Sequence, residues 1–464
     1  METPAIPLPQ DERERKILDE LTLIRDKLLL LKKDRTKYIR TQDVMQLHDQ
    51  VVEQVRQLNE IRKGSPHHAE NRLDKVLESC FQLISLFFMT IGRTNEVPAA
   101  YALTSTIKRL LDHLTEANLF SPKDLDSIAT TLGKLDSILS QDENNGPHDP
   151  YLVELLAKRE ALCKSMLNRL RAKLEELDDT LQATYEKLIS IMRSMSLAAT
   201  KTKFSATEVK KHQKSLAEIA DTMVDGKFVD AEGNELRGSK AVADLLKRCL
   251  DWSDIVLERR GAIPDNFRDK YNILINIRNE LEKLSITQAW ALRETDLYDF
   301  QRQLDKIDEE RVNGNWLDEH GRPAELYVRR TLLYLIRRSY GYIYYLMISS
   351  EPVSEALLPI YNQLQTLKRC LIEVKNSGGV SSVRELYPYS MKLNSIDNMR
   401  VDGKFMVGND IPEGQGSVCE LLAECYDLNY ELRLQAEELE EQQRQQEEQE
   451  QEKQQTGDGE KAEA

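Results

Sequence analysis

Residues that interrupt helices are scarce in this sequence. Its 464 residues include only 19 glycines and 14 prolines, while hydrophobic residues make up 40% and charged residues 31%. This balance favours helix and still provides a buried core. Long apolar runs are missing too: no stretch approaches the roughly 18 residues that span a bilayer. The N-terminus also lacks the basic and apolar segments of a signal peptide. We therefore expect no membrane insertion and a cytoplasmic location, with the nucleus as a second compartment.

Positive charge and paired cysteines are also lacking. The formal net charge is −15, and an acidic surface repels a phosphate backbone, so we expect no nucleic-acid partner. The six cysteines form no Cys-x-x-Cys motif and fall within apolar helical patterns. That arrangement is typical of buried thiols in a reducing compartment.

Motifs for catalysis and metal binding are absent from the sequence. There is no His-Glu-x-x-His, no Cys/His cluster and no nucleophile elbow. The stretch Gly233–Lys240 suggests a phosphate loop, but its Gly-Ser-Lys ending puts the lysine and the hydroxyl out of order for a nucleotide. The sequence therefore predicts no catalytic residue, no metal site and no cofactor.

Helical periodicity and two recurring landmarks indicate a repeat. Apolar residues fall every three or four positions along most of the chain. Four segments share a tyrosine with an aliphatic residue six positions later, and they begin at Tyr101, Tyr185, Tyr271 and Tyr361, separated by 84, 86 and 90 residues. Four Asp/Asn-Gly turns, at Asn145, Asp225, Asn313 and Asp402, are separated by 80, 88 and 89 residues. Two landmarks with nearly the same period are typical of a helical repeat protein.

We predict an all-α fold, an elongated array of helical bundles built from about four related three-helix units. Each unit spans roughly 85–90 residues, and Asp/Asn-Gly turns join them. The units cover residues 65–148, 149–238, 239–323 and 324–416. A helical hairpin at 11–64, after disordered residues 1–10, and a helix at 417–436 cap the array. We expect the Glu/Gln-rich tail at 437–464 to be disordered, because it cannot bury apolar surface.

The second unit departs from the three-helix pattern. No breaker intervenes between residues 150 and 195, where leucines keep an alternating spacing of three and four. This predicts one long fused helix. Such a rod packs within a bundle or, as an alternative, joins copies of the chain into a homo-oligomer through a coiled-coil-like seam.

Three of the turns share an aromatic residue as well as the glycine. Asp-Gly and Asn-Gly favour positive φ, so each predicts a tight turn at the tip of a small hairpin. The aromatic residues that follow are Phe228, Trp316 and Phe405. We interpret them as anchors that hold the turn on the bundle. The alternative is a repeated recognition loop on a rigid frame.

Basic residues recur at matching positions of the tyrosine segments. They are Lys108, Arg109, Arg193, Arg278, Lys368 and Arg369. If the units stack, these side chains align into a stripe that would bind acidic peptide or phosphate groups. The alternative is a set of surface ion pairs with nearby carboxylates.

The turns and the helices after them resemble a known family. Asp-Gly-Lys-Phe at 225 and 402 is followed by Asp/Glu-Leu-Leu-x-x-Cys, ending at Cys249 and Cys425. The chain in this respect resembles an uncharacterised fungal family, catalogued only as a domain of unknown function and usually present more than once per chain. The resemblance covers most of residues 11–434 and carries over no catalytic residues, because none are established for the family.

A non-enzymatic scaffold or adaptor that binds partner proteins is the function that these observations favour. The alternative is an enzyme or enzyme regulator with an unfamiliar site at a repeat junction. A deep pocket that holds several titratable residues would distinguish the alternative from a plain scaffold.

Overall fold

A computed structural model describes residues 6–63, 70–143 and 147–462, and within them the fold is all-α. The helices are α1 Glu12–Lys33, α2 Thr41–Arg62, α3 Arg72–Thr90, α4 Ala100–Ala117, α5 Pro122–Glu143, α6 Pro150–Glu175, α7 Asp179–Ala199, α8 Ala206–Ala220, α9 Ser239–Arg259, α10 Asp265–Ala291, α11 Leu297–Glu309, α12 Leu326–Ile348, α13 Leu358–Asn376, α14 Tyr387–Asp397 and α15 Gln415–Ala462. Two short strands, β1 Arg400–Val401 and β2 Lys404–Phe405, pair antiparallel. None of the described helices is long and apolar enough to cross a membrane.

The chain divides into two compact units. The first comprises the described residues of Met1–Lys33, Gln46–Phe88 and Thr94–Ser350. The second comprises those of Asp34–Met45, Met89–Arg93 and Glu351–Ala464. Part of the predicted N-terminal cap is therefore grouped with the C-terminal helices. In the second unit, Leu364 and Leu371 of α13 share a buried cluster with Leu422 and Cys425 of α15.

A contact between a buried thiol and a backbone carbonyl recurs along the chain. The thiol-to-carbonyl distances are 3.6 Å for Cys80 and Leu21, 3.8 Å for Cys163 and Thr104, 3.7 Å for Cys249 and Leu188, and 3.5 Å for Cys425 and Leu364. In each pair the carbonyl lies 59 to 61 residues before the cysteine. This recurrence supports the proposed repeat. It also extends the pattern to α1, which the sequence placed in a separate cap.

The three described Asp/Asn-Gly turns have positive φ at both central residues. The φ angles are 49° and 77° at Asp225 and Gly226, 52° and 75° at Asn313 and Gly314, and 50° and 76° at Asp402 and Gly403. Positive φ at both positions is the geometry of a type I′ hairpin turn. The predicted tight turns are confirmed at these three positions. The fourth, at Asn145, lies outside the described residues.

The aromatic residue after each turn is buried in the helical frame. Phe228, Trp316 and Phe405 expose only 5%, 0% and 1% of their surface. The Trp316 indole Nε1–H donates to the carbonyl oxygen of Ile307 at 2.8 Å. The Phe405 backbone N–H donates to Gln415 Oε1 at 2.9 Å. These contacts match the anchor interpretation, and the recognition-loop alternative stays a prediction.

The long fused helix predicted at 150–195 is wrong. Helix α6 ends at Glu175 and α7 begins at Asp179. Asp178 is the N-cap of α7: its backbone is extended and its carboxylate accepts the Thr180 N–H at 3.0 Å. The Asp178 N–H donates to the carbonyl oxygen of Arg237 at 2.9 Å. A capping carboxylate and a contact from a distant loop therefore end the first helix where no glycine or proline stands.

Both ends of the chain carry more structure than the sequence predicted. Residues 6–10 were expected to be disordered, but the Pro7 carbonyl accepts the Arg72 N–H at 3.0 Å. The Pro9 carbonyl accepts the Arg15 Nε–H at 2.9 Å. The predicted disordered tail continues α15 as helix to Ala462. Glu and Gln are good helix formers, so the tail extends a helix that apolar burial has already nucleated.

Candidate functional site

The predicted basic residues make ion pairs and do not converge. Lys108 pairs with Asp112 at 2.8 Å, and Arg109 lies 3.3 Å from Asp305. The other pairs join Arg193 to Asp124 at 2.5 Å, Arg278 to Glu282 at 3.8 Å, and Lys368 to Glu424 at 2.7 Å. Arg369 is exposed and makes no ion pair with the residues that the structure describes. These contacts match the surface-pair alternative, and the basic stripe stays a prediction.

Lys108 and Arg109 line a polar cleft of 420 Å³ in the first unit. Four of its five cations have partners already: besides Lys108 and Arg109, Lys75 lies 3.1 Å from Glu70, and the Arg159 guanidinium stacks 4.4 Å from the centre of the Tyr101 ring. The fifth cation is Arg302. The cleft therefore has little positive charge left for a ligand.

A second cavity in the first unit differs in its charge, and we call it the arginine cavity. It consists of two adjoining lobes of 360 Å³ and 200 Å³, which share the lining residues Leu119, Met192, Ser196 and Arg337. Seven cationic side chains line it: Lys123, Arg193, Arg248, Arg329, Arg330, Arg337 and Arg338. They come from α5, α7, α9 and α12, and the carboxylates in the lining are Asp124 and Glu116.

Both carboxylates of the lining are already bound. Arg193 and the Ser121 N–H hold Asp124 at 2.5 and 2.8 Å. Burial opposes ionisation of Asp124, but the bond from Arg193 keeps the pKa of that carboxyl below its usual value. The Arg311 guanidinium holds both oxygens of Glu116, at 2.8 and 2.9 Å. The remaining arginines of the cavity therefore face little negative charge.

Arg330 and Arg337 form no ion pair with any carboxylate in the described part of the chain. Arg330 Nη1 is buried without a hydrogen-bond partner, and burial, together with the positive charge of Arg248, lowers the pKa of Arg330. Arg337 is half-buried, and the loss of hydration on burial lowers its pKa to about 10. Both guanidinium groups remain charged at neutral pH, so the fold holds two poorly solvated cations without a counter-ion.

One face of α12 supplies the centre of the arginine cavity. Arg330, Tyr334, Arg337, Gly341 and Tyr344 recur every three or four residues and line the two lobes. The fully buried residues on the rest of this helix include Leu332, Leu335, Ile336 and Ile343. Helix α12 therefore presents a row of arginine and tyrosine inward, although it is otherwise a core helix.

The arginine cavity is suited to binding and not to proton transfer. Among its lining residues there is no histidine or cysteine, and its carboxylates are held by arginines. Arginine stays protonated and cannot act as a general base near neutral pH. No group of three or more His, Cys, Asp or Glu that could hold a metal ion occurs among the described residues.

The comparisons place the chain in a family. A family model described as "Protein of unknown function (DUF2408)" matches residues 174–294 and 350–456. The chain is 37% identical to Cu(2+) suppressing and bleomycin sensitive protein 1 of Saccharomyces cerevisiae, over 92% of this chain and 91% of that protein. A CUB1 family protein of Schizosaccharomyces pombe is 36% identical, over 93% of this chain and 94% of that relative. The chain belongs to the CUB1 family. No solved structure matches this CUB1-family chain.

The predicted resemblance to an uncharacterised fungal family is confirmed, and the family model matches this CUB1-family chain in two segments. Helix α12 lies between those segments. Of the seven cations of the arginine cavity, the sequence singled out only Arg193. For two of the other six, Arg330 and Arg337, a signal was present in their spacing along a single helix face. It was missed because a row of arginines is usually a solvated surface.

Proposed function

We propose that this CUB1-family protein is a non-enzymatic helical adaptor that binds a phosphate-bearing ligand in the arginine cavity. The observation that carries the proposal is the pair Arg330 and Arg337, both half-buried in the cavity and neither in an ion pair with a carboxylate of the described residues. A fold gains nothing from a desolvated cation that has no counter-ion. An anion between the guanidinium groups would compensate for that cost.

The chemistry of the lining favours phosphate over a single carboxylate. Guanidinium groups bind phosphate oxygens through pairs of parallel N–H bonds, and the two arginines lie among five other cations. The chain as a whole carries a net charge of −15, so this positive region stands against an acidic background. A cavity with walls of low polarity concentrates such a field on a small anion.

Isothermal titration calorimetry with inorganic pyrophosphate tests the proposal. We expect saturable binding to the full chain and at least about a tenfold weaker Kd for Arg337→Glu. Arg169→Glu is the matched control, because Arg169 is exposed on α6 and lines neither lobe. The proposal fails if the wild-type chain binds no pyrophosphate, or if the control loses as much affinity as Arg337→Glu.

A protein-binding role for the same frame is the second candidate, and the hairpins favour it. Val224, Val312 and Val401 occupy the same position before each turn and expose 55%, 51% and 55% of their surface. One apolar residue exposed at three hairpins suits contacts with partner proteins. We also propose a cytoplasmic location, with the nucleus as a second compartment.

Affinity purification with mass spectrometry tests the protein-binding role. The wild-type chain is compared with a triple variant, Val224→Lys, Val312→Lys and Val401→Lys, which leaves the turn residues intact. A second variant, in which Lys108, Arg109, Lys368 and Arg369 become Glu, tests the predicted basic stripe. We expect the valine variant to lose partners that the wild type retains. If both variants fold and retain the partners of the wild type, neither the three valines nor the basic stripe is a binding surface.

A further inference from the structure

We infer that the ligand of the arginine cavity is a small free molecule with a phosphate or diphosphate head and an aliphatic body. This inference rests on the proposed phosphate site. The head would lie against Arg330 and Arg337, and the body would fill the larger lobe beside Gly341. Three observations carry the argument: the glycine in α12, the apolar lining next to it, and the hydroxyl groups that are already bonded.

Gly341 lies in the interior of α12, where glycine is an unfavourable residue. Packing does not require it, because a Cβ added at this position would meet no heavy atom within 4 Å. Its backbone also has no positive φ that would call for glycine. What the missing side chain does provide is space, since Gly341 lines the larger lobe. Helix α12 therefore has a helix-destabilising glycine at a position where any larger side chain would occupy the cavity.

Most of the exposed surface of this lobe is apolar, and it adjoins the cations. It includes Leu110, Leu114, Leu119, Ile128 and Met192. Leu119, Met192 and Arg337 belong to both lobes. An apolar surface therefore begins at the guanidinium group of Arg337. A bare phosphate would leave this surface against water, whereas an attached hydrocarbon would cover it.

Of the four hydroxyl groups that line the larger lobe, those of Ser127, Ser196 and Tyr344 are already bonded, and only that of Tyr334 has no hydrogen bond with the described residues. The Tyr344 hydroxyl donates to the carbonyl oxygen of Ser127 at 3.0 Å and lies 2.7 Å from Thr131 Oγ1. The Ser196 hydroxyl donates to the carbonyl oxygen of Met192 at 2.9 Å. A ribose and a base would lose water here and find few replacement hydrogen bonds. The lining therefore favours an aliphatic phosphate over a nucleotide.

Titration calorimetry with three probes of different bodies tests the inference. The probes are inorganic pyrophosphate, ADP and geranyl diphosphate, each titrated into the full chain. We expect geranyl diphosphate to bind at least about tenfold more tightly than the other two. Equal Kd values for all three would overturn the inference while the phosphate site stands. Tighter binding of ADP would overturn it in favour of a nucleotide, and no binding of any probe would overturn the phosphate site as well.

Variants at Gly341 locate the body of the ligand. Gly341→Leu fills the lobe and should remove the difference in Kd between geranyl diphosphate and pyrophosphate, both measured on the same variant. Gly341→Ala is the control for the fold, because its Cβ meets open space; it should keep most of the preference. An unchanged preference in Gly341→Leu overturns the placement of the body.

Vesicles separate a free ligand from a membrane lipid. In sedimentation with phosphatidylcholine vesicles that contain phosphatidic acid, we expect the chain to stay in the supernatant. Binding to these vesicles without binding to geranyl diphosphate would overturn the inference in favour of a membrane headgroup.

Discussion

The Arg330 guanidinium lies 5.4 Å above the centre of the Trp252 ring, and none of the carboxylates that the structure describes forms an ion pair with it. A cation–π contact compensates only part of the cost of desolvating a charge. Arg330 is therefore better explained by a ligand than by stability of the fold. Trp252 is itself buried and stacks with Tyr327 at 5.7 Å between ring centres.

The first prediction follows from this pair. Arg330→Met keeps the length of the side chain and removes the unpaired charge. We expect the free energy of unfolding to rise by up to about 2 kcal/mol, because the substitution removes a buried N–H group that has no hydrogen-bond acceptor. Pyrophosphate binding should weaken at the same time. Urea denaturation and calorimetry on one preparation measure both quantities.

Arg311→Met is the matched control for that substitution. Arg311 binds both oxygens of Glu116 and lies 2.8 Å from Asp308, so its loss should cost about 3 kcal/mol. If Arg330→Met destabilises the chain as much as Arg311→Met does, Arg330 is a structural residue and the argument for a ligand fails.

The second prediction contrasts two glycines. Gly226 has a φ of +77°, which a residue with a Cβ adopts at a cost of about 1–2 kcal/mol. Gly341 lies in a helix with open space around it, so alanine there should stabilise the chain by about 0.4–1 kcal/mol. Urea denaturation should therefore show opposite signs for Gly226→Ala and Gly341→Ala. Two changes of the same sign would contradict the assigned backbone conformations.

The helices and the hairpin turns were predictable because their signals are local. Apolar spacing of three and four sets the helical faces, and Asp-Gly or Asn-Gly sets positive φ within two residues. The break at Asp178 was missed because it depends partly on a distant contact. A Cβ on Gly238 would lie 2.7 Å from Leu177 Cδ2, and this close approach is not visible in the residues around 178.

The arginine cavity was beyond sequence reasoning for a related reason. It requires α4, α5, α7, α9 and α12 to meet, and no periodicity along one helix reports that. What the sequence did contain was the row Arg330, Arg337 and Gly341. An arginine row favours a solvated face, and only the surrounding helices show that this row faces inward.

The third prediction concerns thiol reactivity. Burial raises the pKa of Cys80 and Cys249 to about 12 and that of Cys163 and Cys425 to about 11, so hardly any thiolate forms at pH 8. Cys370 is exposed. We expect Ellman's reagent to modify Cys370 first, and Cys370→Ser to remove this fast phase. The four buried thiols should react only after urea is added. Rapid reaction of all six thiols in the folded chain would contradict the recurring helix contact.

The fourth prediction concerns Asp308, a buried carboxylate between helices. His113 Nε2 lies 3.1 Å and Arg311 Nε 2.8 Å from its two oxygens. Burial opposes ionisation, but the bond from His113 and the charges of Arg311 and Arg109 lower the pKa of Asp308 below 3.8. Because the folded pKa is depressed, the carboxylate contributes its full stability above about pH 4. That contribution disappears as the pH falls through the lower folded value.

Asp308→Asn should therefore lower the free energy of unfolding by about 3 kcal/mol at pH 7, and the gap from wild type should narrow toward pH 3. Urea denaturation at pH 7, 5 and 3 measures the gap. Asp126→Asn is the control: this carboxylate is exposed and pairs with Arg171 at the surface, so its loss should cost less than about 1 kcal/mol. A gap for Asp308→Asn that is the same at all three pH values would mean that shape, and not charge, makes Asp308 stabilising. The contacts of Asp308 with His113 and Arg311 would then stabilise the chain through packing, because any stabilisation that comes from the negative charge is lost once acid protonates the carboxylate.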